Sequence, residues 1–240
     1  MVLGVTSVYD LAHELHEDIP VFPGRHFKQT LAPHAGAPLG DNEVDWAIEL
    51  VSSTMQVGTH IDALCHLRRG RVGHDGWTLE ETTPSGARRL GIETAPQFVV
   101  RGWLVSCDQH VIGLDAVAKI DPAPGDAVLF HTGWGRHWDD PETYLSGEPG
   151  PGMDVARWLV SRGVALTGCD TWSYGPVPPE DPSRPFEVPQ FLNVDHGVYV
   201  VENLRLAELA AAGVREFALI LTFPKLRGAT GAWCTPIALV

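Results

Sequence analysis

The residues with the most chemistry in them lie between Met55 and Leu67, in MQVGTHIDALCHL. His60, Asp62 and His66 fall close together there. On an extended strand His60 and Asp62 point to the same face, because side chains alternate with a period of two. Gly58 and Thr59 precede them, where a backbone can approach another group closely. Imidazole and carboxylate on one face is a pattern for holding a metal ion or for moving protons. A third imidazole at position 56 would complete a cluster, and Gln56, an amide, stands there instead.

The flanking segments have to hold this stretch in place. Asp45–Ser53 alternates, with Trp46, Ile48 and Leu50 on one face, and predicts a half-buried strand running into it. Upstream, Ser7–Leu15 alternates loosely and predicts another strand. Ile19–Gly24 (IPVFPG) is turn-rich, and Arg25, His26 and Phe27 fall on a loop. Residues 34–42, rich in Gly, Pro and Ala, predict an irregular loop of the kind that serves as a lid or binding loop. Arg68–Gly76 is basic and glycine-rich and predicts a turn or hairpin.

Downstream, FVVRGWLVS within Thr94–Asp108 and AVLFHT at 127–132 are apolar strands, with a short helix at Leu114–Ile120 between them. In MDVARWLVSRG, Val155, Trp158 and Leu159 share one helical face, and Gly163 ends the helix. Val164–Gly168 is a strand that delivers Asp170, and the proline-dense residues 175–189 form a rigid loop. Gly197–Val201 is a strand that delivers Glu202. Leu206–Ala212 is a short helix and Phe217–Phe223 a buried strand. Strands outnumber helices, no repeat or boundary interrupts residues 1–240, and the class is a single α+β domain.

The chain has 240 residues, enough for one sizeable core. Its formal net charge of -13 argues against nucleic acid and anionic membranes as partners. No apolar run reaches the roughly 18 residues of a membrane span. The N-terminal text turns acidic without a basic region and cleavage site, so no signal peptide is read and a cytoplasmic location is expected. Cys65, Cys107, Cys169 and Cys234 lie far apart without a CxxC pair, which predicts buried thiols rather than disulfides.

The central stretch resembles the HxGTHxDxxxH motif of the cyclase superfamily that includes kynurenine formamidases and isatin hydrolases. Further blocks resemble it in order: FVVRGWLVSCD, GDAVLFHTGWGRHW, ARWLVSRGVALTGCDTW, HGVYVVENLRL and PKLRGATGAWCTPIAL. The resemblance covers nearly the whole chain. It implies a swivelling β/β/α fold, homodimers or larger homo-oligomers, and one or two divalent cations, commonly zinc or manganese. It also implies roles. His60, Asp62 and Glu202 match ligand positions, and His66 matches the general acid/base.

Two implied ligands are missing. Gln56 occupies the place of the first motif histidine, and Pro189 that of a downstream histidine thirteen residues before Glu202. A neutral amide is a weak donor beside imidazole, and proline offers none. Gly231-Ala232-Trp233-Cys234-Thr235-Pro236 also departs from the family's GSPVRPIA block.

The reading this supports is an enzyme that works without a metal, with His60, Asp62, His66 and Glu202 as its catalytic groups. No cofactor is expected. The expected reaction is ring formation or rearrangement of a polyketide-like intermediate, because the resemblance extends to scaffolds reused in natural-product (polyether and tetronate) pathways. Phe22, Arg25, Gln56, Trp172, Tyr174 and Trp233 are the expected substrate-binding residues. The first alternative is an amide or lactone hydrolase of the arylformamidase or isatin hydrolase type, with zinc or manganese on His60, Asp62 and Glu202. The second is a small-molecule binding protein without turnover. Asp170 has a strand-end capping reading as strong as a site reading, and His131 and Trp134 read as structural.

Overall fold

The computed structural model describes residues 4–240. Residues 1–3, where the leader reading begins, lie outside the described residues. Most strands belong to one mixed sheet. In chain order the strands are β1 (Val8–Asp10), β2 (Phe27–Pro33), β3 (Ala47–Ser53), β4 (His60–Asp62), β5 (Phe98–Ser106), β6 (Ala127–His131) and β7 (Leu166–Cys169). They continue with β8 (Tyr199–Glu202), β9 (Glu216–Leu221), β10 (Gly231–Trp233) and β11 (Ile237–Leu239). The sheet runs β1-β11-β9-β5-β6-β7-β8-β4-β10. Its centre, β5 to β8, is parallel, and the flanks are antiparallel. This is the α+β architecture expected.

Two cores cover the sheet. One gathers Ile61, Leu129, Leu166, Val201 and Leu219. The other packs Val128, Phe130 and Val200 against Val155, Ala156 and Leu159 of helix α1 (Met153–Ser161). The i, i+3, i+4 spacing read in the sequence is thus the packed face of α1, and it ends before Gly163, which has φ +69. A third, smaller cluster of Ile19, Phe27, Val57, Trp138, Tyr144 and Trp172 lies beside β4.

Alternation along β4 does the positioning. Ile61 has no exposed surface and belongs to the first core, which turns His60 and Asp62 to the other face. Full burial of one such side chain contributes roughly 1.5–3 kcal/mol. A slip of one residue would drive Asp62 into that core, so the register is strongly specified.

Several expected elements differ. Ser7–Leu15 is a strand only over Val8–Asp10, because Leu11 takes up the Pro236 carbonyl and the chain then turns so that the His13 amide meets Thr59. Phe27 begins a strand rather than lying on a loop. Asp45–Ser53 is not half-buried. β2 and β3 form a hairpin separate from the main sheet, with Leu31, Ile48 and Leu50 more than half exposed. Leu114–Ile120 shortens to a helix over Leu114–Val117. The proline-dense segment runs into a helix the sequence did not suggest, α2 (Glu187–Gln190), followed by a π turn over Phe191–Asp195. The C-terminal strands β10 and β11 were also not expected. The cysteines are all free, with Cys65, Cys169 and Cys234 buried and Cys107 half-buried.

His13 packs flat on Trp138, with ring centroids 3.9 Å apart. Burial, with the nearby Arg205 charge and against Asp139, pushes its imidazole down to about 4. A folded-state pKa below the ordinary value near 6.5 means the unfolded chain binds the extra proton first. Stability is therefore complete above about pH 6.5 and falls as pH drops towards 4, by up to about 3 kcal/mol. Urea unfolding at neutral pH and near pH 4.5 is expected to show this loss. In His13→Phe, which keeps the stacking but cannot titrate, the acid-side slope is expected to shrink by a corresponding amount.

Candidate active site

β4 sits between β8 and β10, and its pairing assembles the site. Glu202 of β8 lies directly opposite His60, and Gly231 of β10 lies opposite Asp62. A β-carbon at Gly231 would stand 2.8 Å from the Ile61 carbonyl and 2.9 Å from Gln56 Nε2, so glycine is what lets these groups approach. Gly58 has φ +58, and a side chain there would collide with Leu15.

His60 Nε2 lies 3.2 Å from Glu202 Oε2 and 3.7 Å from Asp62 Oδ1. His60 is fully buried, and both carboxylates are nearly so. The other ring nitrogen, Nδ1, bonds the Gly58 carbonyl at 2.8 Å. That bond presents Nε2 towards the two acids. Burial opposes charge on His60, but contact with Glu202 and the charges of both acids outweigh it and raise its pKa. Burial and the Asp62 charge raise Glu202 in turn, against the pull of His60 and Arg25. The two shifts have one origin, the close approach of an imidazole and two carboxylates out of water.

His66 is the group that reaches outward. Its Nε2 is 3.9 Å from Asp62 Oδ1, and its side chain is partly exposed. His66, Asp62, Glu202 and Arg25 line one side of a cleft with about 480 Å³ of empty space. Phe22, Trp172, Phe186 and Pro189 line the rest, with Leu67 and Ser173. Phe22 stacks on Trp172 at 5.3 Å, and Phe186 meets Trp172 edge-on at 6.1 Å. Trp172 is placed from beneath by Glu148, whose buried carboxylate accepts from the Trp172 and Ser173 amides and the Ser173 hydroxyl.

Three expected substrate contacts lie elsewhere. Tyr174 has no exposed surface, and its hydroxyl bonds Thr167 in the second core. Trp233 lies opposite His60 and shares its face of the sheet, but it packs edge-on against Phe27 and is not among the residues that line the cleft. Gln56 is buried, donates to Thr230 Oγ1 at 3.1 Å, and reaches the cleft only through its backbone carbonyl, which accepts from Arg25. Asp170 is a strand-end anchor, accepting from the Thr132 amide and hydroxyl and the Gly133 amide.

Phe186, Pro189, Leu67 and Ser173 were not anticipated as lining residues. Pro189 was singled out only by counting back from Glu202, and it does stand at the cleft. Phe186 carried no signal. Its φ of 56, a strained value for a bulky residue, appears only in three dimensions.

A family model described as Putative cyclase matches residues 9–176 of the chain. The chain belongs to this cyclase family. Among curated proteins, none matches it by sequence. Among solved structures, one described as a novel cyclase is 25% identical, with a TM-score of 0.85 over 98% of this chain and 88% of that one. Isatin hydrolase A from Labrenzia aggregata, solved with benzyl benzoate bound, is 21% identical. Its TM-score is 0.71 over 98% of this chain and 93% of its own. A structure described as a potential metal-dependent hydrolase with cyclase activity is 19% identical, with a TM-score of 0.67 over 98% of each chain. The cyclase fold expected from the sequence is therefore the fold observed.

In this chain the cluster hangs on Asn203. Its side chain donates to the Gly58 carbonyl at 2.9 Å and accepts from Tyr144 Oη at 2.9 Å, and its own carbonyl accepts from Thr59 Oγ1. It does so at φ 55, a left-handed conformation that asparagine tolerates better than most residues. Asn203→Ala leaves Tyr144 and Gly58 short of a partner in the interior. The expected cost in urea unfolding is roughly 2–4 kcal/mol.

Proposed function

We propose that this cyclase-family enzyme carries out proton-transfer chemistry at a carbonyl of a largely apolar small molecule, forming or rearranging a ring in a polyketide-like intermediate without a metal. The observation that carries this reading is the lining of the cleft. An acid/base set of His66, Asp62 and Glu202 faces a wall of Phe22, Trp172 and Phe186, with the apolar ring of Pro189 among them. Such a wall excludes water and holds a flexible chain in one folded shape, which is most of what ring closure requires. His66, the most accessible of the set, takes the proton from the attacking group. Asp62 stands 3.9 Å from His66 and supplies a charge beside it, and Glu202, whose pKa burial raises, donates to the carbonyl oxygen as charge develops there.

A second reading is favoured by one observation. His60 Nε2, Asp62 Oδ1 and a Glu202 oxygen lie within 4.8 Å of one another. The first two are buried and make no well-formed hydrogen bond, so the three converge on a point rather than pairing. One histidine and two carboxylates suit a single zinc or manganese ion in number and type. A bound ion would polarise a carbonyl and acidify a water, the chemistry of an amide or lactone hydrolase. In that case Gly58 orients His60, and His66 remains the proton carrier.

The two readings separate cleanly. Protein purified without added metal is screened on linear keto-thioesters and on aryl lactones, with products identified by mass spectrometry. The metal-free reading expects ring-closed products unaffected by a chelator, with His66→Ala and Glu202→Gln each slowed roughly 10²–10⁴-fold. Near-stoichiometric zinc or manganese, with activity lost to a chelator and restored by the metal, would sink it in favour of the hydrolase.

We also propose that the protein works in the cytoplasm as a homodimer or larger assembly. Free cysteines accord with a reducing compartment, and the β2–β3 hairpin supports the assembly. Among the described residues no helix is long and apolar enough to cross a membrane. Ile48 and Leu50 are 54% and 65% exposed on one face of a two-stranded arm, which is marginal on its own. A second copy is the proposed cover. Light scattering is expected to show the oligomer for the unaltered chain and a monomer for the Ile48→Asp, Leu50→Asp double variant.

A further inference from the structure

Arg25 stands half-buried on the wall of the cleft that holds the acid/base groups. Its Nη1 donates to the Gln56 backbone carbonyl at 2.8 Å. Its guanidinium carbon lies 5.4 Å from the centre of the Phe22 ring. Those two contacts fix the plane of the group. Arg69, Arg89 and Arg101, by contrast, all pair with carboxylates. Among the described residues no carboxylate pairs with Arg25, and its other N–H groups find no acceptor. Asp62 and Glu202 share the cleft, but each already faces His60, at 3.7 and 3.2 Å. Arg25 acts on Glu202 through its charge, but no hydrogen bond or ion pair joins the two among the described residues.

A partly desolvated guanidinium, fixed in plane, with a free edge towards a cleft, is a receptor for a planar anion. Its parallel N–H groups match the two oxygens of a carboxylate. The aromatic groups Phe22, Trp172 and Phe186 beside it suit an apolar, flat or folded body.

The geometry points to a substrate that bears a carboxylate, recognised by Arg25, on an apolar body held against Phe22 and Trp172. This rests on the reading that the cleft is where the substrate binds, and it narrows the substrate class from any apolar carbonyl compound to an apolar carboxylic acid. It also assigns a direction. The carboxylate lies at the Arg25 end, and the reacting carbonyl lies towards His66 and Asp62.

The test needs no turnover. Binding of 2-naphthoate and of its neutral counterpart 2-naphthamide is measured by calorimetry on the full chain and on Arg25→Gln and Arg25→Lys. The unaltered chain is expected to prefer the acid by about tenfold or more, the scale of one charge-assisted hydrogen bond. Arg25→Gln is expected to bind both compounds alike. Arg25→Lys, which keeps the charge and loses the fork, is expected to retain a smaller preference for the acid. Equal binding of the two by the unaltered chain, no detectable binding of naphthoate, or a preference that survives in Arg25→Gln would overturn the proposal. His66→Ala is expected to keep the preference, so acid recognition and the proton-transfer reading can fail separately.

Discussion

The constraint that governs this molecule is the burial of an imidazole between two carboxylates at one side of its sheet. His60, Asp62 and Glu202 are almost wholly removed from water. Charged groups in such a place are costly unless their neighbours satisfy them. The fold meets that demand with backbone. The Gly58 carbonyl holds one edge of His60, and the β8–β4 pairing sets Glu202 opposite it. Asn203, Tyr144 and Thr59 lock those backbone segments together in a strained turn. Gly231 is small so that β10 can close over the cluster. The mixed parallel and antiparallel sheet is thus the frame that brings residues far apart in the chain to within hydrogen-bonding range.

A second layer of design decides what can meet that cluster. Glu148 is buried without a cationic partner, and burial pushes its carboxyl well above the ordinary range against the bond from Ser173. It spends its bonding capacity on the turn that presents Trp172 and Ser173. Phe22 and Phe186 arrive from different loops and complete an aromatic wall around the same indole. The polar cluster is supported by regular structure and the apolar wall largely by turns. Membership of the cyclase family follows from the sequence match and the fold. Phe186 and Pro189 belong to the apolar part of the cleft lining.

The chain itself determined a good deal. The alternation of His60, Ile61 and Asp62, the apolar runs of β5 and β6, and the helical face of α1 are local patterns, and local patterns are legible because side-chain periodicity follows backbone geometry. The motif GTHIDALCH and the blocks that follow it were enough to expect the family and its α+β fold. Glu202 was legible because the resemblance extended to its block, and Pro189 because of its distance from Glu202.

Only the tertiary structure decided which of those residues share a cleft. Tyr174 and Trp233 look like pocket residues by type, but Trp233, although it shares the face of His60, packs on Phe27, and Tyr174 finds its partner in Thr167. The exposed hairpin carries the alternation of a half-buried strand, because a pattern records which face is apolar and not whether another layer of the same chain covers it. Arg25 was already expected at the substrate, beside Phe22 three residues before it, and it does line the cleft. What the sequence did not show is the bond from its guanidinium to the Gln56 carbonyl, which long-range folding brings within reach.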